Sequence, residues 1–154
     1  MRDEIYEEIR DEYKISTDKG LLNIALIHAY LSKESYWAKN IPVAFVKKSI
    51  ENSLCFGLYF QQEQIGFARV ISDYSTFAYL ADVFVAEGFR GRGLSKCLMK
   101  FILQHPQLQQ LRRFCLGTRD AHKLYEQYGF TVLSHPENMM EIKHMDLYST
   151  LPAQ

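Results

Sequence analysis

Apolar residues in the first half of the chain change from helical to strand spacing. Between residues 21 and 30 they recur every three or four positions, directly after Asp18, a favoured helix N-cap. Pro42 marks the start of a second helix, because proline is favoured in the first helical turn. The β-prone runs Leu54–Phe60 and Ile65–Ile71 follow, joined by a polar connection of hairpin length. We therefore expect two helices and then two antiparallel strands.

The middle of the chain holds an apolar segment followed by an amphipathic one. Phe77–Val85 contains a single charged residue, Asp82, which is typical of a central strand covered on both faces. From Leu94 onwards the apolar residues fall on one helix face, while Lys96 and Lys100 fall on the other. A buried strand followed by a core-packed helix is therefore predicted.

Shorter elements are predicted in the last third of the chain. Arg113–Gly117 has the composition of a strand, and residues 121–128 that of a helix capped by Asp120. Phe130–Leu133 is predicted to be another strand. Residues 140–145 are a candidate for the strand that closes the sheet.

The order of these elements, ββααβββαβαβ or close to it, predicts the fold class. It is an α/β fold of the α+β type, in which a single mixed, mostly antiparallel sheet is flanked by helices. The hydrophobic pattern does not locate the first two strands of that order. Because no repeat or interdomain linker interrupts the sequence, residues 1–154 are expected to form one domain.

Composition and charge limit the class of partner. The chain has 18 Lys and Arg against 18 Asp and Glu, so it has no excess positive charge for a nucleic acid backbone. The three cysteines lie in apolar segments, which favours reduced thiols over a disulfide framework. The acidic start does not resemble a signal peptide, and the run Leu21–Leu31 is too short to span a bilayer. We expect a cytoplasmic protein that binds neither nucleic acid nor membrane.

A strand that runs into a glycine turn at the start of a helix is the most informative segment. Val83–Val85 leads to Arg90-Gly91-Arg92-Gly93-Leu94-Ser95. Backbone N–H groups at a helix start lack intrahelical partners and carry partial positive charge, and glycines let an anion approach closely. The spacing fits neither a Walker loop nor a dinucleotide fingerprint. The segment is therefore a candidate pyrophosphate site, although such a turn can also serve only to connect strand and helix.

Two motifs resemble those of the GCN5-related N-acetyltransferases (GNATs). The segment Arg90 to Ser95 is similar to their motif A, Arg/Gln-x-x-Gly-x-Gly/Ala, with Ser95 in place of the usual last Gly or Ala. Ala121–Phe130 is similar to their A-x-x-L-Y-x-x-x-G-F signature. Thr118 stands where many members have Asn. The resemblance covers about residues 43–133.

This resemblance implies a binding mode and a reaction. The strand at Phe77–Val85 should splay from the strand that follows it, and the pantetheine arm of acetyl-CoA should lie in the gap. A primary amine would attack the thioester directly in a ternary complex, so neither Cys97 nor Cys115 is expected to be a nucleophile. The cofactor-binding residues that the resemblance implies are Phe84, Val85, Arg90, Gly91, Arg92, Gly93, Leu94 and Ser95.

The same resemblance implies that Tyr125 is the general acid that protonates the departing thiolate. A tyrosine pKa near 10 leaves it protonated at neutral pH; the alternative is a core aromatic residue. Asp82 is a candidate base, but an ordinary aspartate is a poor base unless burial raises its pKa. Asp82 can instead accept hydrogen bonds from arginine or backbone donors. The five histidines show no metal-binding spacing and no paired cysteines accompany them, so no metal is expected.

The expected function is N-acetyl transfer to a primary amine on a small molecule, peptide or protein. A non-catalytic acyl-CoA-binding or regulatory module of the same fold is the first alternative, and a purely structural domain is the second. Tyr36-Trp37 lies in the region that commonly shapes the acceptor pocket of this family, where an aromatic pair could receive an apolar or cationic acceptor. Assembly as a homodimer is left open.

Overall fold

Six strands form one mixed sheet in the computed structural model, which describes residues 4–151. In order across the sheet they are β1 (Glu7–Arg10), β2 (Tyr13–Ser16), β3 (Leu54–Phe60), β4 (Glu63–Ser72), β5 (Phe77–Val85) and β6 (Arg113–Leu116). All neighbouring strands run antiparallel except β5 and β6, which run parallel. The predicted mixed, mostly antiparallel sheet is confirmed.

Helices cover both faces of this sheet. They are α1 (Ile24–Ala29), which a π-helical turn extends over Tyr30–Glu34, α2 (Val43–Glu51), α3 (Leu94–Leu103), α4 (His122–Glu126) and α5 (Leu147–Thr150). Ile27 of α1 and Val46 of α2 are buried against Phe67 on one face. Leu98 of α3 is buried against Phe56 on the other. The helices therefore flank the sheet as predicted.

The first two strands form a hairpin that apolar periodicity could not locate. β1 is exposed along its whole length and consists of Glu, Glu, Ile and Arg. Charged residues are typical of an edge strand, where they discourage pairing with other chains. The β2 strand joins the hairpin to β3, and Ser16 on β2 is buried and donates a hydrogen bond to Glu7 at 2.6 Å.

Helix starts differ from the predictions at two places. Asp18 caps the 3-10 turn Lys19–Leu21, whereas α1 begins after Asn23, whose side chain accepts a hydrogen bond from the Leu26 N–H at 3.0 Å. Both residue types cap helices well, so spacing alone did not choose between them. Asp120 does not cap α4, because Ala121 precedes that helix and its N–H donates to Thr118 Oγ1. The helix predicted from Pro42 is confirmed as α2.

The prediction of two strands after α4 is wrong. Phe130 packs against Phe114, with ring centroids 5.6 Å apart, but neither 130–133 nor 140–145 forms a strand. A strand needs a partner for its backbone hydrogen bonds, and these segments pair with no strand within residues 4–151. β6 is consequently the last strand of the described sheet.

Candidate active site

A cleft of about 1070 Å³ opens where β5 and β6 separate. The two strands are paired from Phe77 and Arg113 to Leu80 and Leu116, and β5 then continues to Val85 without a partner on that side. The expected splay between these strands is therefore present. Six of the predicted site residues line the cleft: Asp82, Phe84, Val85, Arg90, Ser95 and Tyr125.

The other four predicted residues form the loop and helix start beside the cleft. Gly91 and Gly93 have φ of +78° and +74°, a left-handed conformation that favours glycine. A Cβ at either position would meet no atom within 4 Å. No side chain caps α3, so its first N–H groups remain available to an external acceptor. Leu94 is 8% exposed and packs in the core, so it can contribute only its backbone.

Arg90 is fixed against the end of β5. Its Nε donates to the Val85 carbonyl at 3.0 Å, and its guanidinium donates to the Tyr30 hydroxyl at 3.4 Å. The Tyr30 ring stacks on Phe84, with centroids 4.0 Å apart and planes 11° apart. Because Phe84 and Val85 are only 5% and 6% exposed, a ligand in the cleft would meet mainly their backbone.

Arg92 does not line the cleft. Its guanidinium donates to the Tyr13 hydroxyl at 3.2 Å and to the Gly88 carbonyl at 3.3 Å, and it lies 4.9 Å from the centroid of the Phe89 ring. These contacts hold the glycine turn against the N-terminal hairpin. A positive charge nevertheless remains beside the open turn.

Asp82 lies at a bulge in β5 and is held on both carboxylate oxygens. Arg69 Nε donates to Oδ2 and Trp37 Nε1 donates to Oδ1, each at 2.9 Å. Ala68 on β4 lies opposite both Asp82 and Val83, and Asp82 has φ of +56°. This arrangement favours the structural alternative, in which Asp82 accepts hydrogen bonds. Its role as a base stays a prediction.

Tyr125 lies on the cleft wall opposite β5. Burial raises the pKa of its phenol above the ordinary value of 10.0, and the neighbouring Tyr36 and Asp120 raise that pKa further. Within residues 4–151 no group hydrogen-bonds the Tyr125 hydroxyl. The phenol is therefore a protonated donor, and no acceptor in the described part of the chain takes its hydrogen bond.

Tyr36 connects the two walls of the cleft. Its hydroxyl accepts a hydrogen bond from the Arg119 N–H at 2.8 Å, and the Arg119 guanidinium lies 3.9 Å from the centroid of its ring. Tyr36 and Trp37 are about two-fifths exposed and meet edge to face at 5.0 Å. The sequence indicated this pair only by its position before α2.

Several cleft residues were not identified from the sequence. Tyr30, Glu34, Arg119 and Tyr148 also line the cleft. Tyr30 belongs to an apolar helical stripe, which by itself indicates core packing. Arg119 and Tyr148 come from the loop after β6 and from α5, and only the tertiary structure brings them to the cleft. No sequence signal could have identified Arg119 or Tyr148 as cleft residues.

Neither a metal cluster nor a membrane-spanning helix is found in the part of the chain that the structure describes. Within residues 4–151 no three His, Cys, Asp or Glu side chains are grouped closely enough to hold a metal ion. Within the same residues no helix has the length and apolar character needed to cross a bilayer.

The site motifs lie within a segment that matches a known family. A family model described as an acetyltransferase (GNAT) domain matches residues 51–132, which is more than half of the chain. The chain belongs to the GNAT acetyltransferase family. Both resemblances found in the sequence, the glycine turn and the signature that contains Tyr125, lie inside the matched residues.

Relatives of this GNAT protein include proteins from bacteria and fungi. A solved structure from Xanthomonas campestris pv. campestris, of a protein proposed to be a GNAT acetyltransferase, is 55% identical, has a TM-score of 0.88, and covers 90% of this chain and 97% of its own. A Gibberella zeae protein whose name proposes an acetyltransferase is 31% identical and covers 75% of this chain and 77% of its own.

A more distant GNAT acetyltransferase shares the fold. The structure of this protein, from Elizabethkingia anophelis, contains bound acetyl-CoA. It is 17% identical, has a TM-score of 0.61, and covers 88% of this chain and 91% of its own.

Proposed function

We propose that this protein transfers an acetyl group from acetyl-CoA to a primary amine by direct attack in a ternary complex. One observation carries the proposal. The cleft where β5 splays from β6 is lined by Tyr125, whose phenol has no hydrogen-bond partner within residues 4–151, and it lies beside the open glycine turn at the start of α3.

The glycine turn, the start of α3 and the free edge of β5 fit the parts of acetyl-CoA. The turn at Gly91 and Gly93 has space where side chains would stand, and the uncapped start of α3 offers N–H donors to a pyrophosphate. Beyond Leu80 the edge of β5 that faces the cleft is not paired with β6, so it can bond to an extended amide-containing arm. A protein of the same fold holds acetyl-CoA, which supports this choice.

The cleft supports direct attack rather than a covalent enzyme intermediate. Of the three cysteines, Cys55 is buried at 1% exposure, and neither Cys97 nor Cys115 lines the cleft. Tyr125 would donate a proton to the departing thiolate, because burial keeps its phenol protonated at neutral pH. An aliphatic amine must first lose its own proton, at a cost of about 4.6 kcal/mol at pH 7. Glu34 and Asp82 are the carboxylates on the β5 and α1 side of the cleft that can accept it, directly or through water.

The acceptor side of the cleft is aromatic and partly acidic. Tyr36, Trp37, Tyr148 and Glu34 are among the residues that line it. The rings of Trp37 and Tyr148 and the carboxylate attract an ammonium group before its deprotonation. The Tyr36 ring already meets the Arg119 guanidinium. These residues suit an amine that is cationic in solution, on a small molecule or a peptide.

Two measurements test this function. Acetyl-CoA at about 100 times its Kd should stabilise the protein by about 2.7 kcal/mol and raise its Tm by roughly 5 to 11 °C. Release of coenzyme A thiol should then be followed across a panel of primary amines, with secondary amines and alcohols as controls. Binding without thiol release for any amine would identify a non-catalytic acyl-CoA-binding module. The absence of any thermal shift at millimolar acetyl-CoA would remove the cofactor assignment.

A further inference from the structure

The guanidinium of Arg119 is a positive charge on the cleft wall whose N–H groups have no acceptor within residues 4–151. Arg119 lies in the loop after β6, is exposed, and lines the cleft. Its guanidinium forms neither a salt bridge nor a hydrogen bond with the described residues. Arg69 and Arg90 also line the cleft, but Arg69 pairs with Asp82 and Arg90 donates to the Val85 carbonyl. Arg119 differs from both, because its donors are free to meet a ligand.

Two contacts with Tyr36 hold Arg119 in place. The guanidinium lies over the Tyr36 ring, 3.9 Å from its centroid, and the backbone N–H of Arg119 donates to the Tyr36 hydroxyl at 2.8 Å. A guanidinium that contacts a ring through its face keeps the N–H donors on its edge free, and this planar set of donors matches the two oxygens of a carboxylate. The contacts therefore position a cation for an anionic group.

This cation lies on the acceptor side of the cleft. Tyr36 precedes α2, and its ring meets that of Trp37 edge to face at 5.0 Å. The glycine turn, in contrast, carries cations of its own, because Arg90 and Arg92 belong to it. A pyrophosphate at the turn therefore does not need Arg119, which can bind a different anion.

The proposed proton donor lies close to this arginine and tyrosine. Tyr36 is near enough to Tyr125 to raise the pKa of the Tyr125 phenol, although burial is the larger cause. An acceptor whose anionic group meets Arg119 therefore needs only a short chain to bring its amine to the thioester beside Tyr125. Amino acids have such a chain between carboxylate and amine.

The charges that share the cleft with Arg119 favour a carboxylate over a phosphate. Asp120 follows Arg119 in the chain, and both Asp120 and Glu34 line the cleft. Two carboxylates near one guanidinium repel a dianion more strongly than a monoanion. They also attract an ammonium group. The acceptor side is therefore complementary to a molecule that carries one carboxylate and one ammonium group.

We propose that Arg119 binds the carboxylate of the acceptor, and that the acceptor is an amino acid. The inference rests on the proposed N-acetyl transfer and narrows its acceptors to primary amines that also carry a carboxylate. Arg119 is then a specificity-determining residue. The carboxylate takes no part in the chemistry, so its salt bridge is the same before and during the reaction, and it lowers KM without raising kcat.

The first test compares matched acceptors in the thiol-release assay. Each amino acid is paired with its amide, which keeps the amine and lacks the carboxylate. Arg119→Gln should raise KM about tenfold for the amino acids and leave KM for the amides within about twofold of the wild type. Arg112→Gln is the matched control, since Arg112 is also exposed but does not line the cleft. It should change neither KM.

The second test measures binding without turnover. Trp37 is the one tryptophan of the chain, so its fluorescence reports on ligands that bind beside Tyr36. With coenzyme A bound, Arg119→Gln should bind the amino acids about tenfold more weakly than the wild type, and the amides with equal affinity. If this difference is found but no acceptor releases thiol, the carboxylate site is supported and the proposed transfer is refuted.

Three outcomes overturn the proposal. If Arg119→Gln weakens amino acids and amides alike, Arg119 only braces Tyr36. If it weakens binding of acetyl-CoA but not of the acetyl thioester of dephospho-coenzyme A, the anion that Arg119 binds is a cofactor phosphate. If the wild type shows neither binding nor turnover of any amino acid, no carboxylate site exists at Arg119. Amides that release thiol normally would in that case leave the proposed transfer intact.

Discussion

Replacing Asp82 by Asn tests whether this carboxylate holds the cleft together. The substitution keeps the shape of the side chain, and asparagine also tolerates the φ of +56° at this position. It removes the charge that faces Arg69 Nε at 2.9 Å. It should leave the Trp37 hydrogen bond largely intact, because the amide oxygen can still accept.

The size of the expected loss in stability follows from the burial of the Arg69–Asp82 pair. The side chains of Arg69 and Asp82 are only 15% and 10% exposed, so the Arg69 guanidinium would keep Ser53 as its acceptor but lose its counter-charge. Removing one partner of a fully buried pair costs about 3 to 5 kcal/mol. Residual solvent access reduces this to about 2 to 4 kcal/mol, and the Tm should fall by roughly 5 to 15 °C.

Urea denaturation and calorimetry measure this loss of stability, and a double-mutant cycle tests whether it comes from the Arg69–Asp82 pair. Asp82→Asn combined with Arg69→Leu removes both charges, so it should recover part of the loss in the free energy of unfolding. An unchanged free energy of unfolding in Asp82→Asn would refute the buried-pair reasoning. If Asp82 is instead the catalytic base, kcat should fall by about 10² to 10⁴, with no recovery in the double variant.

Three further predictions concern the glycine turn, the proton donor and a buried thiol. Gly93→Val should weaken acetyl-CoA binding, measured by calorimetric titration, and should also destabilise the fold by about 1 to 2 kcal/mol because the φ of residue 93 is +74°. The control Gly88→Val, whose Cβ also meets no atom within 4 Å, should bind acetyl-CoA normally. Tyr125→Phe should lower kcat by about 10² to 10⁴ with little change in the Kd for acetyl-CoA, and it should alter the basic limb of the kcat profile, which lies above pH 10 in the wild type. If kcat and this limb are both unaltered, Tyr125 has only a packing role. Burial raises the pKa of the Cys55 thiol from 9.0 to about 12, so the unfolded chain releases this proton first, and the free energy of unfolding should fall by up to about 1.4 kcal/mol per pH unit between these values. Denaturation curves of Cys55→Ala should lack that slope, and equal slopes in both proteins would contradict it.

Local sequence patterns made the central strands and the glycine turn predictable. β3, β4, β5 and α3 are set by residues close in the chain, through short apolar β-prone runs, helical apolar spacing and a short polar connection. The turn at Gly91 and Gly93 is equally local, because positive φ strongly favours glycine. The family motifs also lie within these segments, and so the cofactor side of the cleft could be proposed from the sequence.

The acceptor side depended on contacts between distant segments. Asp82 meets Trp37, 45 residues earlier, and Arg119 meets Tyr36 across 83 residues of chain. No spacing pattern encodes such pairs, because they depend on how the sheet and helices pack. The sequence therefore determined strands β3 to β6, helix α3 and the residues that can meet a pyrophosphate. Tertiary structure decided that Asp82 is held by Arg69 and Trp37 and that Tyr125 faces an open cleft. It also decided that residues 140–145 form no strand, because backbone pairing requires a neighbour that local sequence does not supply, and no strand within residues 4–151 pairs with them.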